Sequence, residues 1–129
     1  MKIPAALALL IVSASLGAQQ SSQVLWWAGT WDGAFAEAKV RNAPLLVVFI
    51  QDGEEANERL ASGILRDPAY VKATLQTVPI LANREFHGAT KSEAGGVTKS
   101  VCSKFGGTTC EAHQKLESEA RVALCGTEV

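Results

Sequence analysis

Both histidines of this 129-residue chain, and two of its three cysteines, fall between His87 and His113. The densest part reads Cys102-Ser-Lys-Phe-Gly-Gly-Thr-Thr-Cys110-Glu-Ala-His113. Thiols and imidazoles carry disulfide, nucleophilic and soft-metal chemistry, and three such chemistries are open here. The first is a structural disulfide, Cys102–Cys110, closing a small loop through Gly106-Gly107. Glycine freedom suits the narrow geometry of a bridge, and a short closed loop is worth up to about 3 kcal/mol. The second is a catalytic redox pair. Cys110 falls in the first turn of a predicted helix, where the macrodipole favours thiolate. His113 follows on the same face as a proton-exchanging partner, and Cys102 is the resolving thiol. The third is a metal site of Cys102, Cys110, His113 and His87. A set of two sulfurs and two nitrogens suits zinc or copper, although the spacing matches no finger pattern. Cys125 is left over as a single thiol. Of the three, the disulfide is the expected state.

That expectation follows from the start of the chain. Lys2 precedes the apolar run 5–12 (AALALLIV), and the small residues of 13–18 (SASLGA) follow it. This is the pattern of a cleaved signal peptide over residues 1–18. The run is too short for a membrane span, which needs about 20 residues. A secreted or periplasmic location is therefore expected, and paired cysteines become disulfides in such compartments. Residues 19–30 read as a linker and 31–129 as one domain. Lysines and arginines number 12 against 13 acidic residues and are scattered. No electrostatic footprint for nucleic acid appears; a protein or peptide partner is expected.

The elements that must position the cluster can be read from patterning. Trp26, Trp27 and Trp31 form an aromatic cluster expected to cover one edge of the core. Thr30 or Asp32 caps a helix carrying Ala34, Phe35, Ala38 and Val40. Residues 45–50 (LLVVFI) are a continuous apolar run, as in a strand buried on both faces. Residues 54–65 read as a helix, with Glu54 and Glu55 in its first turn. Asp67-Pro68 opens another helix through Leu75. Residues 78–82 (VPILA) are a second strand, with Pro79 near its start. Residues 83–97 read as a long polar loop and 99–104 as a short helix. Thr108 as N-cap with Glu111 three residues on makes a capping box. Ala112, Leu116, Ala120 and Ala123 then give a helical stripe. No phosphate loop is present: Gly95-Gly96-Val97-Thr98-Lys99 lacks the spacing.

Helix, buried strand, helices and second strand form an α/β order with a parallel pair. The run Trp31-Asp-Gly-Ala-Phe35-Ala-Glu-Ala38-Lys39, the strand after Ala43-Pro44, Asp67-Pro68-Ala-Tyr70-Val71 and Val78-Pro-Ile-Leu resembles exported thioredoxin-like domains. Lys104-Phe105-Gly106 is similar to the Lys-Tyr-Gly that precedes the family's cis-proline. The resemblance implies a thioredoxin-like fold with parallel core strands and flanking helices. The early end of the chain implies that the C-terminal hairpin of that fold is missing and that fewer than four strands are present. Where redox-active members carry Cys-x-x-Cys, this chain reads Gln51-Asp-Gly-Glu54-Glu55-Ala56-Asn57. The functional expectation is thus a binding or envelope-maintenance module without the usual redox motif. The alternatives are a divergent thiol–disulfide oxidoreductase using Cys102 and Cys110, or a Cys/His metal-binding domain with zinc as its metal.

Overall fold

Residues 23–126 are described in the computed structural model of the protein. The expected signal peptide, residues 1–18, lies outside the described residues. The described residues form a mixed α/β domain with four α-helices and two small sheets.

Helix α1 spans Trp31–Arg41. The Thr30 hydroxyl caps it by accepting the Gly33 N–H at 2.9 Å, the bond a β-region N-cap makes to the orphan donors of a first turn. Asn42 ends it in the left-handed region at φ 51°, a conformation Asn tolerates better than most residues. Strand β1, Leu45–Phe49, pairs in parallel with β2, Val78–Ala82, in the register Leu45↔Val78 to Phe49↔Ala82. The crossover between them holds α2 (Glu55–Ser62), a 3-10 turn (Ile64–Arg66) and α3 (Pro68–Thr74). The helix expected over 54–65 therefore breaks at Gly63. Asp67 caps α3, its Oδ1 accepting the N–H groups of Ala69 and Tyr70 at 2.9 and 3.2 Å. Helix α4 spans Cys110–Cys125.

All five residues of β2 are buried, as a strand covered on both faces requires. On one face, Val78 and Ile80 pack with Trp31 and Ala34 of α1 and Leu116 and Ala120 of α4. The other core contains Val48, Ile50 and Leu81 with Ala61, Leu65 and Val71 of the crossover. Cys102, Phe105 and Cys110 belong to this second core, so the cluster is built into the packing. Each fully buried large apolar side chain contributes about 1.5–3 kcal/mol relative to exposure. Val24 and Trp26, in the stretch read as a linker, are buried in the same core. The Trp27 N–H donates to Pro79 O at 2.8 Å, which anchors this segment to β2.

Two expectations are corrected between β2 and α4. The region read as loop and short helix holds an antiparallel hairpin, β3 (Ala89–Ala94) and β4 (Val97–Cys102), in the register Ala89↔Cys102 to Ala94↔Val97. Residues 97–100 are exposed and only Cys102 of β4 is buried, so no core face imposes an apolar alternation on this strand. Local turn chemistry makes it instead. Gly95 and Gly96 both have positive φ, 57° and 78°, the requirement of a two-residue turn whose twist matches its strands. Four strands are thus present among the described residues, as two pairs and not as one shortened sheet. The second correction concerns the cap of α4. Thr109, not Thr108, is its N-cap, accepting the Ala112 N–H at 3.1 Å. Among the described residues, no helix is long and apolar enough to cross a membrane.

Candidate metal centre

The fold brings His87, Cys102, Cys110 and His113 together. One donor atom from each lies within 4.8 Å of the other three. Three separate pieces of chain supply them. His87 comes from the connection leaving β2, and Cys102 ends β4. Cys110 opens α4, and His113 lies one turn further along it. The parallel pair, the hairpin and the helix must all be in place before the four meet.

The site is dry. Cys102, Cys110 and His113 are 1%, 3% and 0% exposed, and the His87 side chain is 11% exposed. Phe105 closes one side, its ring centroid 5.4 Å from that of His87 and 5.5 Å from that of His113. The His87 and His113 rings are themselves 5.4 Å apart.

Hydrogen bonds on the outer sides of the rings fix what each imidazole turns inward. His113 Nδ1 faces the Asn83 carbonyl oxygen at 2.7 Å. A carbonyl only accepts, so Nδ1 carries the proton and the lone pair is on Nε2. That Nε2 is the one buried side-chain nitrogen or oxygen without a partner among the described residues. An unpaired buried polar atom costs about 1–3 kcal/mol, and a metal ion is a partner that would remove this cost. His87 Nε2 faces Asp52 Oδ2 at 2.6 Å, which leaves the Nδ1 lone pair facing Cys102 Sγ at 3.5 Å. Tetrahedral zinc with bonds of about 2.3 Å to sulfur and about 2.0–2.1 Å to nitrogen implies a sulfur–nitrogen edge of about 3.6 Å.

The sulfurs are also directed. The His87 N–H points at Cys110 Sγ at 3.4 Å. The backbone N–H groups of Lys104 and Phe105 reach Cys102 Sγ. Burial nevertheless pushes the Cys102 thiol up, and the adjacent Cys110 sulfur acts in the same direction against those N–H groups. Burial likewise holds the His113 imidazole below its usual range, with the Asn83 carbonyl opposing. The neutral form is the one that ligates metal.

Every sequence-predicted site residue is in the cluster; Cys125, the leftover thiol, is exposed at the end of α4. The expected Cys102–Cys110 disulfide is not formed, and all three cysteines are free thiols. Sequence reasoning missed the outer residues. Asp52 lies in the turn after β1, and it backs His87. Burial works against its carboxylate, but hydrogen bonds from Asn83, His87 and Lys104 together hold it below the usual range. Asn83 and Lys104 were missed too. Asp52 in a turn and Asn83 after a strand read as ordinary loop residues, so no local signal marks them.

The group can therefore hold a metal ion, with each histidine backed by a carboxylate or a carbonyl, as ligating histidines usually are. No protein-family model matches the chain, and no curated protein matches it.

Proposed function

We propose that this protein is a zinc-binding domain, in which Cys102, Cys110, His87 and His113 hold one ion as a structural centre. The observation that carries this reading is the orphaned Nε2 of His113, aimed into a buried set of two sulfurs and a second imidazole lone pair. Two thiolates and two neutral imidazoles balance a divalent ion without residual charge, which suits a dry interior. Four protein ligands leave no open position, which is the arrangement of structural and not catalytic zinc. When bound, the ion would crosslink the hairpin, the connection after β2 and the start of α4.

Burial also argues against thiol exchange, which needs an accessible thiolate. The same applies to a Cys102–His87–Asp52 relay. Its spacing resembles a nucleophile, base and orienting carboxylate, but the sulfur is 1% exposed. The wider role that fits a closed centre is non-enzymatic. We take the domain to be an exported, thioredoxin-like module that binds a protein or peptide. The parallel β1–β2 pair, helices on both faces and the N-terminal segment bonded to β2 support that frame.

The test is elemental analysis and thiol titration of the protein purified without chelator. One equivalent of zinc, with Cys102 and Cys110 unreactive until the protein is denatured, is the expected result. Cys102→Ser and His113→Ala each abolish retention. A loss of two hydrogens with no metal bound would replace this reading with the structural disulfide.

A further inference from the structure

Asn83 follows β2 directly and is 1% exposed. Each of its polar groups is used. Its backbone N–H donates to His113 O at 3.3 Å, and its backbone carbonyl accepts from His113 Nδ1 at 2.7 Å. Its Oδ1 accepts the Glu85 N–H at 2.9 Å. Its Nδ2 donates to Ile50 O at 3.0 Å and to Asp52 Oδ1 at 2.8 Å. The other oxygen of Asp52 is the one that holds His87 Nε2. One residue therefore stands behind both imidazoles, directly behind His113 and through Asp52 behind His87.

We propose that Asn83 is the positioning residue of the metal centre, setting His113 to ligate through Nε2 and His87 through Nδ1. The inference rests on the zinc reading above. Its physical basis is that an imidazole bound through one nitrogen is oriented by the acceptor at the other. The side chain at position 83 must donate to a carbonyl and a carboxylate while accepting from a backbone N–H. Only a primary amide of this length does all three. Aspartate has the same shape but no donor, and it would set a second carboxylate against Asp52. Leucine would leave the Glu85 N–H, the Ile50 carbonyl and Asp52 Oδ1 without this partner.

The experiment uses the full chain loaded with zinc. Long-range proton–nitrogen correlation spectra report which ring nitrogen of each histidine carries hydrogen. The expected result is hydrogen on Nε2 of His87 and on Nδ1 of His113. Zinc Kd is then measured by chelator competition for wild type, Asn83→Asp and Asp52→Asn. Asn83→Asp preserves volume, so a role in packing alone predicts no change. The positioning role predicts a Kd raised about 10–100-fold, with a shifted ligand-field spectrum of the cobalt-substituted protein. Asp52→Asn, at a residue whose side chain is 25% exposed, keeps the test decisive if Asn83→Asp does not fold. Its single amide oxygen can face His87 or the Asn83 and Lys104 donors but not both sides, and a rise of about tenfold or more is expected. Zinc bound through the opposite ring nitrogens would overturn the proposal, as would folded variants with Kd within about twofold of wild type. A wild-type protein that takes up no zinc would instead overturn the zinc reading itself, and this proposal with it.

Discussion

Lys104 Nζ lies 2.7 Å from Glu58 Oε1, so the turn that follows Cys102 is tied to α2. The same ammonium lies 3.2 Å from Asp52 Oδ1. Burial pulls the Lys104 pKa down, but its bonds to Glu58 and Asp52 outweigh burial and leave it raised. The bond from Lys104 lowers Glu58 in turn, helped by the Gly53 N–H. A raised lysine contributes stability that is complete below its unfolded value and lost as pH rises through its folded value. A lowered glutamate contributes stability present above its unfolded value and lost as pH falls through its folded value. Lys104→Met is therefore expected to melt at a lower temperature than wild type between about pH 5 and pH 10. The gap should close only beyond the two ends of that range, as pH falls through the lowered Glu58 value or rises through the raised Lys104 value. Melting curves in a pH series, recorded with chelator present, check this.

Zinc and stability should be linked by mass action. A ligand that binds only the folded state adds about 2.7 kcal/mol at a concentration one hundred times its Kd. Zinc is expected to raise Tm and excess chelator to lower it. His113→Leu should melt at the same temperature in both solutions. Circular dichroism melts of the two proteins, with and without zinc, decide the matter.

Gly107 separates Cys102 from Cys110 and passes close to the N-terminal segment. A β-carbon at this position would lie 1.9 Å from the carbonyl oxygen of Val24, which is backbone and cannot rotate away. Gly107→Ala must displace one of the two segments, and overpacking of this kind costs about 1–3 kcal/mol. Urea denaturation should show that loss. Zinc affinity should fall as well, because the displaced segment leads directly into Cys110.

Cys125 supplies the control. It is exposed at the end of α4 and outside the cluster. Cys125→Ser should keep the zinc stoichiometry of wild type and change stability by no more than about 0.5 kcal/mol. A variant that lost zinc would show that Cys125 displaces one of the four proposed ligands.

Much of the frame was legible in the chain itself. The continuous apolar runs 45–50 and 78–82 declare strands, and β1 and β2 do pair in parallel; burial on both faces holds for β2, whereas β1 is mostly half-buried and its Phe49 is exposed. Thr30 and Asp67 mark helix starts because a side-chain oxygen there satisfies orphan N–H groups locally. The hairpin was not legible, since residues 97–100 of β4 face solvent and carry no apolar period. Gly95-Gly96 was its one local signal.

The candidate site divides in the same way. Residue type named His87, Cys102, Cys110 and His113, because few side chains offer soft donors and nearly all of those in this chain lie close together. Sequence alone left disulfide, redox pair and metal site open, since all three use the same atoms. Tertiary structure decided the burial of the sulfurs, the direction of each imidazole lone pair and the recruitment of Asp52 and Asn83. Asp52 reaches His87 across 35 positions of sequence and Asn83 reaches His113 across 30. No periodicity or local spacing encodes such pairings. They exist only once β2, the hairpin and α4 have packed around one core.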